Sequence, residues 1–178
     1  MKILCFLQNQ WDTNAEKENR EWAQLRARAG VEMYLEVRKR IITNYILYGR
    51  SFTARRIQAA FKEHKNKLNQ GEPIHEIIFE NASPLVGDKA SSKFPADLVH
   101  MAEVIGYNEP DFVIAFGAVA RDGLQRVWPS DLTLALPHPA ARQLLDEWVH
   151  WYADLEKCLQ KLENRVVFEE KALSDVST

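Results

Sequence analysis

With 178 residues, 46% of them hydrophobic, and a formal net charge of −2, the chain can bury one substantial core and does not look like a generic nucleic-acid coat protein. No apolar run approaches the roughly 18 residues of a membrane span, and the apolar start Met1–Leu7 is too short for a secretory signal. Cys5 and Cys158 make neither a metal nor a redox spacing, so a single domain in the reduced cytoplasm is the expectation.

Met1–Leu7 reads as a first strand, followed by Gln8-Asn9-Gln10-Trp11. Asn14 to Gly49 then reads as helical, because residues from Trp22 and Leu25 through Ala29, Val31, Tyr34 and Ile41 recur near three- and four-residue spacing, with Gly30 as a break. A second helix is expected from Thr53, as N-cap, to about Leu68, ended by Gly71 and Pro73. Between Asn14 and Gln70 there are thirteen Lys and Arg against six Glu, so this region is basic and the remainder acidic. Its helices either track a nucleic-acid backbone through arginines such as Arg20, Arg26, Arg38, Arg50, Arg55 and Arg56, or are an amphipathic pair with snorkelled side chains.

Ile74–Phe79 reads as a strand leading to Asn81, Ser83–Lys93 as a loop, and Pro95–Ile105 as a helix carrying Leu98, Met101 and Ala102. A third strand, Asp111–Phe116, runs without a spacer into Gly117-Ala-Val-Ala120 and a helix. A fourth, Asp131–Leu136, stops at Pro137-His138-Pro139. The flanking prolines restrict the backbone around His138, so its imidazole is presented from a stiff loop. A long amphipathic helix from about Pro139 to Glu163, with Trp148 and Trp151 on its apolar stripe, closes the pattern, and residues after Phe168 are expected to fray.

Strands alternating with helices predict an α/β fold, a three-layer αβα sandwich around a four-stranded parallel sheet, with ligand at the strands' carboxyl ends. Asn9, Asn81, Gly117 and His138 all fall at those ends, so four segments distant in sequence are expected to meet in one cleft.

The blocks Pro110-Asp-Phe-Val-Ile-Ala-Phe-Gly117-Ala-Val-Ala120 and His138-Pro-Ala140 resemble two motifs of the uracil-DNA glycosylase superfamily. Leu7-Gln8-Asn9-Gln10-Trp11 occupies the place of that family's first motif, with Leu7 and Gln10 where glycine and proline are usual. Glu76-Ile-Ile-Phe-Glu-Asn81 matches the strand that ends in a base-reading asparagine. The resemblance covers about residues 1–12 and 74–150. It implies a uracil-DNA glycosylase-like fold with a basic helical insertion at about 14–70, and a hydrolase that flips a uracil-like or modified base from DNA and cleaves its N-glycosidic bond without metal or other cofactor.

On that resemblance Asn9 orients the water, since an amide cannot act as a general base, and His138 stabilises the departing base. Asn81 reads the base edge with an acceptor and donors. Gln8, Trp11 and Gly117 border the base, Trp11 equally suiting a core position. Arg142, with Arg50, Arg55 and Arg56, contacts DNA, single- or double-stranded. Asp12 is a reserve carboxylate, or else a cap before Asn14. Two alternatives stay open: a catalytically inactive protein of this fold that binds DNA, a nucleotide or, through the helical insertion, a protein partner; and a nucleoside-processing or base-hypermodification enzyme, for which Asp12 or Glu80 would be the nucleophile. No membrane association is expected.

Overall fold

The computed structural model describes residues 2–10, 12–59, 76–88 and 94–139. The expected C-terminal helix from Pro139 onward, the continuation of the second helix towards Leu68, and the candidates Trp11 and Arg142 lie outside the described residues.

Four strands, β1 (Lys2–Leu7), β2 (Glu76–Asn81), β3 (Phe112–Phe116) and β4 (Thr133–Leu136), form one parallel sheet in the order β2-β1-β3-β4. The central strands β1 and β3 are buried almost throughout. That is why they read as continuous apolar runs and not as an alternation. Ile3, Cys5, Leu7, Phe79 and Ile114 contribute to one core cluster, and Leu4, Phe6, Ile78, Val113 and Ala115 to the other. The sheet is thus packed on both faces.

Helix α1 (Ala15–Tyr48) breaks at Gly30, whose φ of 81° and ψ of 173° are open to glycine at no steric cost. Its second half runs beside the edge strand β2. Tyr34 and Leu35 enter one core cluster and Ile42 and Ile46 the other, while the Thr43 hydroxyl sits at Phe79, 3.0 Å from its N–H and 3.5 Å from its carbonyl oxygen. The helix therefore caps an edge that would otherwise expose unpaired backbone groups. The expected apolar stripe is corrected in part, because Ala29, Val31 and Ile41 are exposed.

Residues 52–59 form α2. Its cap is Ser51, not the expected Thr53: the Ser51 hydroxyl accepts from the Ala54 N–H at 3.1 Å, which places Thr53 inside the first turn. Helix α3 (Leu98–Asn108) starts three residues later than expected, because the Asp97 carboxylate accepts from the His100 N–H at 3.0 Å. Helix α4 (Ala118–Val127) follows Gly117 directly, and α3 and α4 pack on the same face of the sheet as Leu4 and Val113. Among the described residues no helix is long and apolar enough to cross a membrane.

Candidate functional site

Strand order β2-β1-β3-β4 makes the chain turn back between β1 and β3, so the loops leaving their carboxyl ends diverge and leave a crevice there. A cleft of about 600 Å³ opens at this end, and Gln8, Asn9, Asn81 and His138 all line it. Its other walls include Ile42, Tyr45, Ser51 and Thr53, from α1 and the start of α2. Tyr45 was not singled out from the sequence. The signal was its place between Ile42 and Ile46, which face the sheet one turn apart.

The loop after β1 is held by its neighbour. Ala82 N–H donates to the Leu7 carbonyl at 2.6 Å, Gly87 N–H to Gln10 at 2.9 Å, and Asp12 N–H to Gly87 at 2.9 Å, so segments 7–12 and 82–87 continue the pairing beyond the sheet. Asn19 on α1 anchors this pair of loops, donating to and accepting from the Val86 backbone at 3.0 and 2.9 Å. Within the loop, the Asn9 side-chain amide donates to the Gln10 carbonyl at 3.0 Å. Asn9 therefore sits on a braced turn.

Asn81 closes β2 opposite Leu7. It is 5% exposed and lines the cleft, and its backbone N–H donates to the Glu80 carboxylate at 2.8 Å.

His138 stands beside Gly117. A Cβ added at Gly117, where φ is 91°, would lie 3.1 Å from the His138 Cβ. The close approach that Gly117 permits is thus made by the histidine loop of the protein itself, and Gly117 lies behind the cleft wall, not on it. The Gly117 N–H donates to the Leu136 carbonyl at 2.7 Å, and the Arg56 guanidinium donates to the Pro139 carbonyl at 2.7 Å, fixing the loop on either side of His138. Burial holds the His138 imidazole below its ordinary pKa, which favours the neutral ring.

Of the two candidate carboxylates, Asp12 lines the cleft and Glu80 does not. Asp12 accepts from the Asn14 N–H at 2.7 Å, the turn-capping role that was its simpler reading. Glu80 turns away from the cleft to the other face of β2, where Arg38 donates to it at 2.7 Å and the His100 Nε2 lies 3.8 Å away. Burial alone would raise the Glu80 pKa, but the Arg38 guanidinium outweighs it and holds the carboxyl at about 2. This corrects two expectations, since Glu80 is no candidate nucleophile and Arg38, 2% exposed, is no phosphate contact.

Other cations of α1 are paired as well: Arg20 with Glu16, Arg26 with Glu103, Lys39 and Arg40 with Glu36. Arg50 and Arg55 remain exposed without an ion pair among the described residues. The described residues hold no cluster of three or more His, Cys, Asp or Glu side chains suited to a metal ion.

No family model matches this chain, nor does any curated protein or solved structure.

Proposed function

We propose that the cleft binds an extruded uracil-like base and that the protein is a DNA glycosylase of the uracil-DNA glycosylase type. The observation that carries this reading is Asn81, a carboxamide residue only 5% exposed that lines the cleft in the company of Asn9 and His138. Such an amide pairs with the O4 and N3–H edge of uracil and leaves groups unpaired against cytosine, whose exocyclic amine reverses the pattern.

In the reaction the bond between the sugar C1′ and the base nitrogen breaks, and its electron pair leaves with the base. A neutral His138 imidazole would donate a hydrogen bond to the base carbonyl oxygen as negative charge grows there. Water held by Asn9 would add to C1′, and the proton it releases would end on the departing base. Because Asn9 is an amide, it supplies orientation only, so a modest rate is expected.

One observation favours a second reading, a base-binding protein without hydrolysis. Asp12 is the only carboxylate among the described residues lining the cleft, and it is tied to the Asn14 N–H. Base release from oligonucleotides containing uracil or hydroxymethyluracil, compared across wild type, Asn9→Ala and His138→Ala, separates the two. A drop of at least about tenfold in both variants, roughly 1.4 kcal/mol, supports the glycosylase. Absence of release with retained oligonucleotide binding supports the second reading.

A further inference from the structure

The end of α1 and the start of α2, which contribute Tyr45, Ser51 and Thr53 to the cleft, carry aromatic rings that the core does not use. Tyr45 and Tyr48, one turn apart on α1, are 48% and 79% exposed, and Phe52, at the start of α2, is 54% exposed. Tyr45 lines the cleft, as do Ser51 and Thr53 on either side of Phe52. The Arg56 guanidinium lies 4.3 Å from the Phe52 ring centroid and also donates to the Pro139 carbonyl, so this ring stands next to the His138 loop.

Charge follows the same surface. Residues 37–62 contain seven Lys and Arg and no Asp or Glu. Arg38, Lys39 and Arg40 of that run are spent on ion pairs. Arg50 and Arg55 flank the rings, exposed and without an ion pair among the described residues. Exposed rings interleaved with uncompensated arginines are what a single-stranded nucleic acid requires. Each ring stacks on a base face that a duplex keeps covered, and the guanidinium groups follow the phosphates. A protein partner for such rings would need carboxylates to match the arginines but would have no reason to lead into a cleft containing Asn81 and His138.

We propose that Tyr45, Tyr48 and Phe52, with Arg50 and Arg55, form a stacking platform that delivers single-stranded DNA to the cleft. This rests on the base-binding reading and adds the strandedness of the substrate. Because the strand arrives unpaired, the target base need not be pulled from a duplex, which removes the unpairing part of the cost of flipping.

Fluorescence anisotropy of the full chain with a labelled single-stranded oligonucleotide of ordinary bases, and with the matching duplex, tests it without any chemistry. The single strand is expected to bind at least about tenfold more tightly than the duplex. Tyr48→Ala is expected to weaken single-strand binding about tenfold, the effect of one lost stack, and Tyr48→Phe to keep it. Tyr48 is too exposed for its truncation to unfold the protein, and thermal unfolding of the variant checks this. Equal affinity for duplex, unchanged binding by Tyr48→Ala, or a Tyr48→Phe variant as weak as Tyr48→Ala would each overturn the platform. Single-strand binding without base release would leave the platform standing and overturn hydrolysis instead.

Discussion

Glu80 and Asn81 are adjacent in β2 and face opposite sides of the sheet, where they belong to two different kinds of polar cluster. On one side Glu80, Arg38 and His100 are each 2% exposed and held against one another, with the Trp22 ring centroid 4.9 Å from the Arg38 guanidinium. On the other, Asn81, Asn9 and His138 surround an open cleft. The charged cluster is closed off in the core, whereas the neutral amides and the imidazole border open space. A strongly perturbed ionisable group marks a functional site only when it faces a space that a substrate can enter.

The sharpest way to break this comparison is Glu80→Ala. It strands the Arg38 guanidinium in the core, and a loss of about 3–5 kcal/mol in urea denaturation is expected, since removing one partner leaves a buried charge uncompensated. A loss below about 1 kcal/mol would mean that the cluster does not hold the fold. The same ion pair sets an acid limit. Because the folded pKa of Glu80 lies at about 2, below its ordinary 4.5, its stabilisation is complete above the ordinary value and is lost as pH falls towards 2.

On the open side, Gly117→Ala forces a side chain into positive φ and against His138. A cost of about 1–3 kcal/mol is expected, together with reduced base release, read by denaturation and by single-turnover release. Thr43→Val tests the strand edge between the two clusters. Losing the hydroxyl at Phe79 is expected to cost about 1 kcal/mol, measured by urea denaturation, with base release by the folded protein unchanged.

The smallest effect belongs to His138. Since its folded pKa is depressed by burial, its contribution to stability is present above the unfolded value near 6.5 and declines as pH falls below it. His138→Asn is expected to flatten stability in that window, which urea titrations at pH 7.5 and 5 would register.

The strands and their carboxyl ends were legible because parallel strands covered on both faces leave uninterrupted apolar runs, and the turn residues that follow them stand out. Gly30 was legible as a break for the same local reason. The partners of Arg38 were not: Glu80 lies 42 residues away, and the pairing depends on α1 crossing the edge of β2, which no periodicity encodes. Ser51 and Thr53 are both good caps, and only the path of the chain after Gly49 decides between them. Asn9, Asn81 and His138 were legible as strand-end residues, whereas Tyr45 belongs to a helix whose orientation comes from tertiary packing.

The most direct test of the base-binding account is the discrimination between uracil and cytosine in base release from otherwise identical single-stranded oligonucleotides, by wild type and Asn81→Ala. The account predicts that wild type releases uracil at least about a hundredfold faster than cytosine, and that Asn81→Ala loses most of this preference along with at least about tenfold of its rate on uracil. Unchanged uracil release and unchanged preference in Asn81→Ala would contradict it.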